Sequence, residues 1–375
     1  MKVAIISKFT GPGGVNEYLE RLALCLTNAG HTATLIFLRG QLHGEDYSPY
    51  PSVTFRTGWK EQVSIARGLP ILRLLLAGGF PDTSAPDLVD WTFSPILHRV
   101  LQRHDMVFYG DENVALFSVL DLALNDKSFA VVCHESRRPD FPPLGRMQDR
   151  LLKRAALVLS PSPKTAEKLR LRLGREIEFH PLMHPAEALI MRKGKYVLFD
   201  TRWTPKRHPQ FALEIAEATP GVRFVMAGSF SSSEDQASLI AKARMMGVSD
   251  RIQFAFGLDE EAQRQLYREA SAYIRWPETH GEFVYEEGIG FGVVKALEHA
   301  CPVIVDKRAG SASLIMDGGN GFGVSPNPSE YAAHIQGILN EPSTASRLSR
   351  GAYETAVAHS IASSSKRLTA LPRRP

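Results

Sequence analysis

The stretch Glu287-Gly-Ile-Gly-Phe-Gly-Val-Val-Lys295, continuing Ala-Leu-Glu-His-Ala-Cys-Pro-Val-Ile304, places three glycines directly ahead of a helix-forming run. The helix is expected to begin near Val293 and to end before the apolar run Val303–Val305. Glycines at the mouth of a helix let the backbone come close to a ligand, and the first helical turn offers unpaired N–H groups. A turn, a helix and a short apolar strand in that order form the repeating piece of an α/β domain. Glu287 stands just outside the helix, next to whatever the turn holds.

The same alternation extends outward to both ends of the chain. Short apolar runs occur at Val3–Ile6, Leu35–Leu38, Met106–Tyr109, Phe129–Cys133 and Leu157–Leu159. They recur at Tyr196–Phe199, Phe224–Ala227, Ile252–Ala255, Ala272–Ile274 and Val303–Val305. Runs of this length, continuously apolar and rich in Val, Ile and Phe, suit strands buried on both faces of a parallel sheet. Helix-length amphipathic stretches between them predict doubly wound α/β architecture. Between the two sets, His180 to Lys195 has two prolines and weak periodicity, so two similar domains are expected, 1–187 and 188–360, followed by a frayed tail, 361–375.

Composition narrows the class. At 44% hydrophobic and 22% charged, the 375 residues are those of a globular protein. A formal charge of +4 suits a phosphorylated substrate or an anionic lipid surface and is far from the footprint of a nucleic-acid binder. Cys25, Cys133 and Cys301 lie far apart without metal-ligand spacing, so neither a disulfide framework nor a zinc site is expected. Met1 to Ile6 enters a strand directly, unlike a signal peptide, and no apolar stretch is long enough to span a bilayer. A cytoplasmic protein is therefore expected. Lys60 to Phe80 (KEQVSIARGLPILRLLLAGGF) is apolar with basic punctuation. It reads either as a helix packed on its own domain or as a peripheral contact with the inner face of the membrane or a lipid-borne acceptor.

Three further stretches carry chemistry. Gly11-Pro-Gly-Gly-Val-Asn-Glu-Tyr18 joins the first strand to a helix, with Gly13 and Gly14 at the turn. Asn16 breaks a G-x-G-x-x-G pattern, and no acidic residue follows the strand ending at Leu38, which argues against a dinucleotide oxidoreductase. Phe129-Ala-Val-Val-Cys-His-Glu135 ends a buried strand with His134 at its carboxyl end, where open α/β sheets bind ligands. Arg202-Trp-Thr-Pro-Lys-Arg-His-Pro209 sets cations after the first strand of the second domain, suited to a pyrophosphate.

Together these stretches resemble glycosyltransferase family 4, whose members are retaining enzymes of the GT-B fold, over nearly the whole chain. Gly13-Gly14, Tyr18, Leu22, Ala23, Leu26 and Gly30-His31 resemble that family's opening motif. Arg202 to Pro209 is similar to its phosphate clamp, Glu287 to Ile304 to its E-x7-E signature, and Asp317-Gly-Gly-Asn-Gly-Phe322 to its D-G-x-N-G-x element. The resemblance implies two Rossmann-like domains whose parallel sheets face each other across a cleft. It implies a nucleotide-sugar donor, such as a UDP- or GDP-sugar, a carbohydrate or lipid-linked acceptor, and neither cofactor nor metal. By the same resemblance His134 and Glu287 meet the reacting sugar. Arg202, Arg207, Gly290, Phe291 and Gly292, with Gly13 and Gly14, hold the donor.

The chain departs from the family at three places. Lys295 occupies the second glutamate of E-x7-E, whose carboxylate holds the ribose diol in the family. An ammonium only donates hydrogen bonds. The donor differs at the ribose, or Glu298, one turn onward, supplies the carboxylate near the nucleoside, or Lys295 is a surface helix residue whose match to the motif is coincidental. Ser313 replaces a frequent glutamate, and several inserted residues, Glu278 to Glu286, separate Pro277 from Glu287. A differently specialised or non-catalytic relative that binds a sugar nucleotide is the alternative to a transferase.

Overall fold

A computed structural model describes residues 1–9, 13–39, 52–54, 99–112, 127–136, 142–186, 189, 194, 196–230, 232–277, 279–280, 283–284 and 288–372. Residues 60–80 and Glu287 lie outside the described residues. The chain divides into two compact units, Met1–Leu182 with Ile361–Pro375, and Met183–Ser360.

In the first unit β1 (Lys2–Phe9) leads into α1 (Gly14–Asn28), then β2 (Thr32–Arg39), β3 (Ser52–Thr54), β4 (Met106–Tyr109) and β5 (Ser128–Val132). There follow α2 (Pro142–Arg154), β6 (Leu157–Ser160), α3 (Pro163–Leu173) and β7 (Glu178–Phe179). The strands form one parallel sheet in the order β3-β2-β1-β4-β5-β6-β7. Each of the five predicted runs falls on a strand, with only Cys133 lying one residue past the end of β5. Every residue of β4, β5 and β6 is buried, as helices on both faces of a sheet require. The edge strands β3 and β7, three and two residues long, are too short to show a period in sequence. Helix α1 turns Tyr18, Leu19, Leu22, Ala23 and Leu26 inward, the spacing of one apolar face.

The second unit opens with β8 (Tyr196–Trp203) and α4 (Pro209–Glu217), followed by β9 (Phe224–Phe230), α5 (Ser233–Met245), β10 (Ile252–Phe256), α6 (Glu260–Glu269) and β11 (Ala270–Arg275). A short pair, β12 (Thr279–His280) and β13 (Phe283–Val284), is antiparallel and falls in the inserted residues. Then come α7 (Phe291–Glu298), β14 (Val303–Asp306), β15 (Gly321–Val324), α8 (Pro328–Asn340) and α9 (Pro342–Ala358). The parallel sheet runs β10-β9-β8-β11-β14-β15. In both sheets the first three strands step one way and the later ones the other. The order therefore reverses between β1 and β4 and again between β8 and β11. Ligands of open α/β sheets bind beyond the strand ends at such reversals. The core below the second reversal includes Val197, Phe199, Trp203, Ala272, Ile274 and Trp276.

The division differs from the expected one in two respects. It falls at Leu182–Met183 rather than 187–188, because Met183 N donates to His359 O and pairs with Ser360, which draws the chain into the second unit. The described residues after Ser360 are not a frayed tail. They form α10 (Ile361–Arg367), which packs on α1 and returns the chain to the first unit. Ile361, Leu368 and Leu371 are buried, and a ring nitrogen of His31 meets Leu368 O at 2.9 Å.

Candidate functional site

At the second reversal, β8 ends in Thr201, Arg202 and Trp203 and β11 ends in Arg275. Thr201 Oγ1 accepts two hydrogen bonds, from Arg207 Nη1 at 2.9 Å and from Arg275 Nη1 at 2.8 Å. A hydroxyl has two acceptor positions, so one side chain holds both guanidinium groups side by side. Arg207 ends a single 3-10 turn, Pro205–Arg207, and its carbonyl accepts from Trp276 Nε1 at 2.6 Å. Trp203 is fixed in turn by donation to Ala227 O at 2.8 Å. The two indoles lie 6.3 Å apart, and Phe199 and Phe211 meet Trp276 edge-on. A small recess is lined by Asp200, Thr201, Trp203, Arg207, Arg275 and Trp276. Arg202, on the same strand, is exposed, since neighbouring strand residues point to opposite faces.

The glycine-led helix α7 starts beside Arg275. Gly290 is its N-cap, with φ of 64°, a backbone conformation that side chains disfavour. A Cβ there would lie 3.7 Å from Arg275 Nε and 3.7 Å from Ser311 Oγ. The caps of α3, α5, α6 and α8 are closed by Ser162, Ser232, Asp259 and Asn327 side chains. The helices led by Gly290 and Gly13, α7 and α1, have no side-chain cap, and neither do α4 and α9, which begin with a proline that has no N–H to offer. The first-turn N–H groups of α7 and α1 are therefore suited to an anion. Gly292 serves another purpose. A side chain there would run into the Tyr273 hydroxyl and lie 3.3 Å from Asp200 O, the carbonyl to which Tyr273 donates at 3.0 Å. Without a side chain at 292, α7 can seat against the sheet. Phe291 is half-buried in the same first turn.

Lys295 faces inward, into a polar network. Its Nζ donates to Gln263 Oε1 at 2.9 Å, and Gln263 Nε2 donates to Asp200 Oδ2 at 2.8 Å. Tyr267 Oη donates to the same Asp200 oxygen at 2.7 Å. Burial raises the Asp200 carboxyl above its ordinary range, against the opposing pull of Tyr267, Lys295, Gln263 and Arg275. The network thus fastens α6 and α7 to the end of β8. Glu298 is buried, and its Oε1 accepts from His184 N at 2.5 Å, so this carboxylate anchors the chain where it enters the second unit.

In the first unit, Gly13 is exposed and extended, with open space where a side chain would stand, and Gly14 begins α1. His134 follows β5. Its Nε2 lies 3.0 Å from Gly110 O, so Nε2 bears the proton and Nδ1 is the acceptor of the neutral ring. Burial lowers its pKa to about 4, with the Gly110 bond opposing. Tyr18 meets the ring edge-on at 5.4 Å, and its hydroxyl donates to His180 O at 2.9 Å. Gly110 lies close to Ile6 O and Leu19, leaving no space for a side chain. The buried Glu112 carboxyl, two residues on, is pushed well up by burial and by Asp111 and Glu135, while the His134 backbone N–H opposes this.

The structure therefore gathers Arg207, Gly290, Phe291 and Gly292 of the predicted site and sets Lys295 and Glu298 behind them. Sequence reasoning missed Thr201, Arg275 and Asp200 in this unit, and Gly110 and Glu112 in the other. Arg275 had a signal: it is the one charged residue of the strand Ala-Ser-Ala-Tyr-Ile-Arg275.

Comparison with known proteins finds similarity to glycosyltransferases. Residues 184–355 match the model of the family Glycosyl transferases group 1. Over 159 residues the chain is 30% identical to the D-inositol 3-phosphate glycosyltransferase of Mycolicibacterium smegmatis, covering 41% of this chain and 35% of that protein. Over 181 residues it is 32% identical to the protein of the same name from Acidothermus cellulolyticus, covering 45% and 37%. The matches thus span little more than a third of these relatives. The crystal structure of Anabaena HepE in complex with UDP and glucose aligns over 98% of both chains, with a TM-score of 0.71 and 15% identity. Sucrose-phosphate synthase from Thermosynechococcus elongatus aligns over 98% of this chain and 96% of its own, with a TM-score of 0.72 and 15% identity. The fold is that of the GT-B glycosyltransferases, built from two Rossmann-like units, and the unit carrying Arg207, Arg275 and Gly290 is the one that resembles Glycosyl transferases group 1.

Proposed function

We propose that this chain transfers a sugar from a nucleotide-sugar donor, such as a UDP- or GDP-sugar, to a carbohydrate, lipid-linked or small-molecule acceptor, with retention and without a metal ion. The observation that carries the reading is the pair of guanidiniums on Thr201 beside the uncapped start of α7. Departure of a nucleoside diphosphate builds negative charge on its β-phosphate. Fixed cations and helix N-termini meet that charge without rearranging as it develops. Arg207 and the amides at Gly290 to Gly292 take this role, with Arg202 at the rim. His134, a neutral acceptor, contacts a hydroxyl of the reacting sugar, and Glu287 is assigned to that sugar by its place in E-x7-E. Retention is inferred from the family resemblance.

The test is a screen of nucleotide sugars with candidate acceptors, read by released nucleoside diphosphate and by the anomeric configuration of the product. One donor should give release that survives a chelator, with the configuration retained. Absence of release with every donor tested would contradict the transferase reading. Lys295, bound to Gln263 where the family has a ribose-binding carboxylate, favours a second reading: a relative that binds the sugar nucleotide without turnover. That reading predicts saturable binding in the same screen and no product.

A further inference from the structure

We propose that the outer face of α2 and α3, in the first unit, docks on an anionic lipid bilayer, with Arg146, Arg150, Lys153 and Arg154 meeting the headgroups and Leu171 entering beside them. The face lies outside the family match at 184–355 and apart in sequence from Lys60 to Phe80, and the inference does not rest on the donor-site reading.

The formal charge of +4 is unevenly spread along the chain. From Pro142 to Leu173 there are eight cations and two acids, so the rest of the chain is net acidic. On α2 the buried Gln148, Leu151 and Leu152 face the core, and the exposed Arg146, Arg150, Lys153 and Arg154 share the opposite face. These four form no ion pair among the described residues. Lys153 and Arg154 suit the negative end of the helix, but Arg146, near its start, does not. Arg146 with Arg150, and Arg150 with Arg154, are like-charge pairs one turn apart, which weaken a helix. The stripe thus gains nothing from the fold, and an anionic surface laid against it removes the repulsion.

Helix α3 extends the same face. The connections β5 to β6 and β6 to β7 step one way across the sheet, so right-handed crossovers put α2 and α3 on one side of it. Arg172 Nε of α3 lies 3.3 Å from Asp149 Oδ1 of α2, so the helices lie side by side and one of the two acids is taken. Glu167 is the other. Leu171, next to Arg172, is 79% exposed, level with the stripe of α2. Lys168 is exposed on the same helix. A soluble polyanion gains nothing from an exposed leucine. A bilayer takes both kinds of residue, the cations at its anionic headgroups and the leucine at the boundary with the acyl chains.

The experiment is sedimentation of the full chain with vesicles of phosphatidylcholine alone and of phosphatidylcholine with phosphatidylglycerol, beside retention on heparin as a soluble polyanion. Wild type should bind the anionic vesicles and not the neutral ones, and high salt should release it. The double variant Arg146→Gln, Arg150→Gln should lower the partition coefficient roughly twenty- to thirtyfold, at about fivefold per cation near an anionic surface. Arg244→Gln with Arg350→Gln removes the same charge from exposed positions of the second unit and should stay within about twofold of wild type. Leu171→Ser should weaken vesicle binding and leave heparin retention unchanged. All four proteins should melt at nearly one temperature, since every substitution is at an exposed position. Equal losses in the two double variants would overturn the inference, because net charge alone would then act. Wild-type vesicle affinity in Leu171→Ser would overturn it as well. So would retention of wild type on heparin without binding to anionic vesicles, which would assign the face to a soluble polyanion, or binding to neither. The donor-site reading stands in every case, because no donor enters the measurement.

Discussion

Lys295 shows how one residue can keep its place in a motif and change its task. In the family pattern a carboxylate stands at this position. Here an ammonium stands there, and a carboxylate, Asp200, lies across the network on β8. Lys295→Met should destabilise the protein by roughly 1.5–3 kcal/mol, the worth of a hydrogen bond to a charged group. The sign with pH follows from Asp200, whose carboxyl burial already raises. Without Lys295 it rises further, and protonation relieves the uncompensated charge, so the loss should be larger at pH 8 than at pH 5. Asp200→Asn in the same chain should recover part of it. Urea unfolding of both single variants and the double variant checks this, and strictly additive effects would show that the two residues are uncoupled. His134 gives a second pH prediction. Its pKa of about 4 lies below the ordinary histidine value of 6.5. Between these values the unfolded chain takes up a proton that the folded ring refuses, so this residue's contribution to stability falls as pH falls through that window. His134→Asn should flatten the wild-type loss of stability between pH 7 and pH 5. An unchanged slope would mean that the ring titrates normally.

At the scale of elements, the strands were legible because continuous apolar runs of three to five residues have few alternatives in a doubly wound domain. The run Tyr196–Phe199 became the start of β8, buried from Val197 on, and Val303–Val305 lies within β14. The glycine turn before α7 was legible as a ligand-binding turn, but the division of labour inside it was not. Gly290 provides a left-handed backbone and Gly292 provides room for Tyr273, and nothing in sequence spacing distinguishes them. Alanine in a helix is ordinarily worth up to about 1 kcal/mol more than glycine. Gly292→Ala should nevertheless destabilise, because overpacking against the Tyr273 hydroxyl costs roughly 1–3 kcal/mol. A lower melting temperature is expected, and a higher one would mean that α7 is not seated on Tyr273. Thr201 and Arg275 escaped the sequence reading because their partnership joins residues 74 positions apart. Arg202 and Arg207 looked equivalent in sequence, and only the alternation of β8 and the 3-10 turn separate them.

For the molecule as a whole, the two-unit organisation was visible in the two sets of strands, but the return of the C-terminus was not. A short helix such as Ile361–Arg367 has too few residues to reveal what it packs on, and its partner α1 lies over 330 residues away in sequence. Each unit repeats one strand order with its own core, and the strand-order reversal in the second unit coincides with the cation pair. The proposed function requires this reversal to hold the diphosphate of a sugar donor during transfer. Its most direct measurement is kcat/KM for the best donor of the screen, in wild type and in Arg207→Ala, with melting temperature as a control for folding. A drop on the order of ten- to a hundredfold is expected in Arg207→Ala at a nearly unchanged melting temperature. Equal kcat/KM in the two proteins would contradict that requirement.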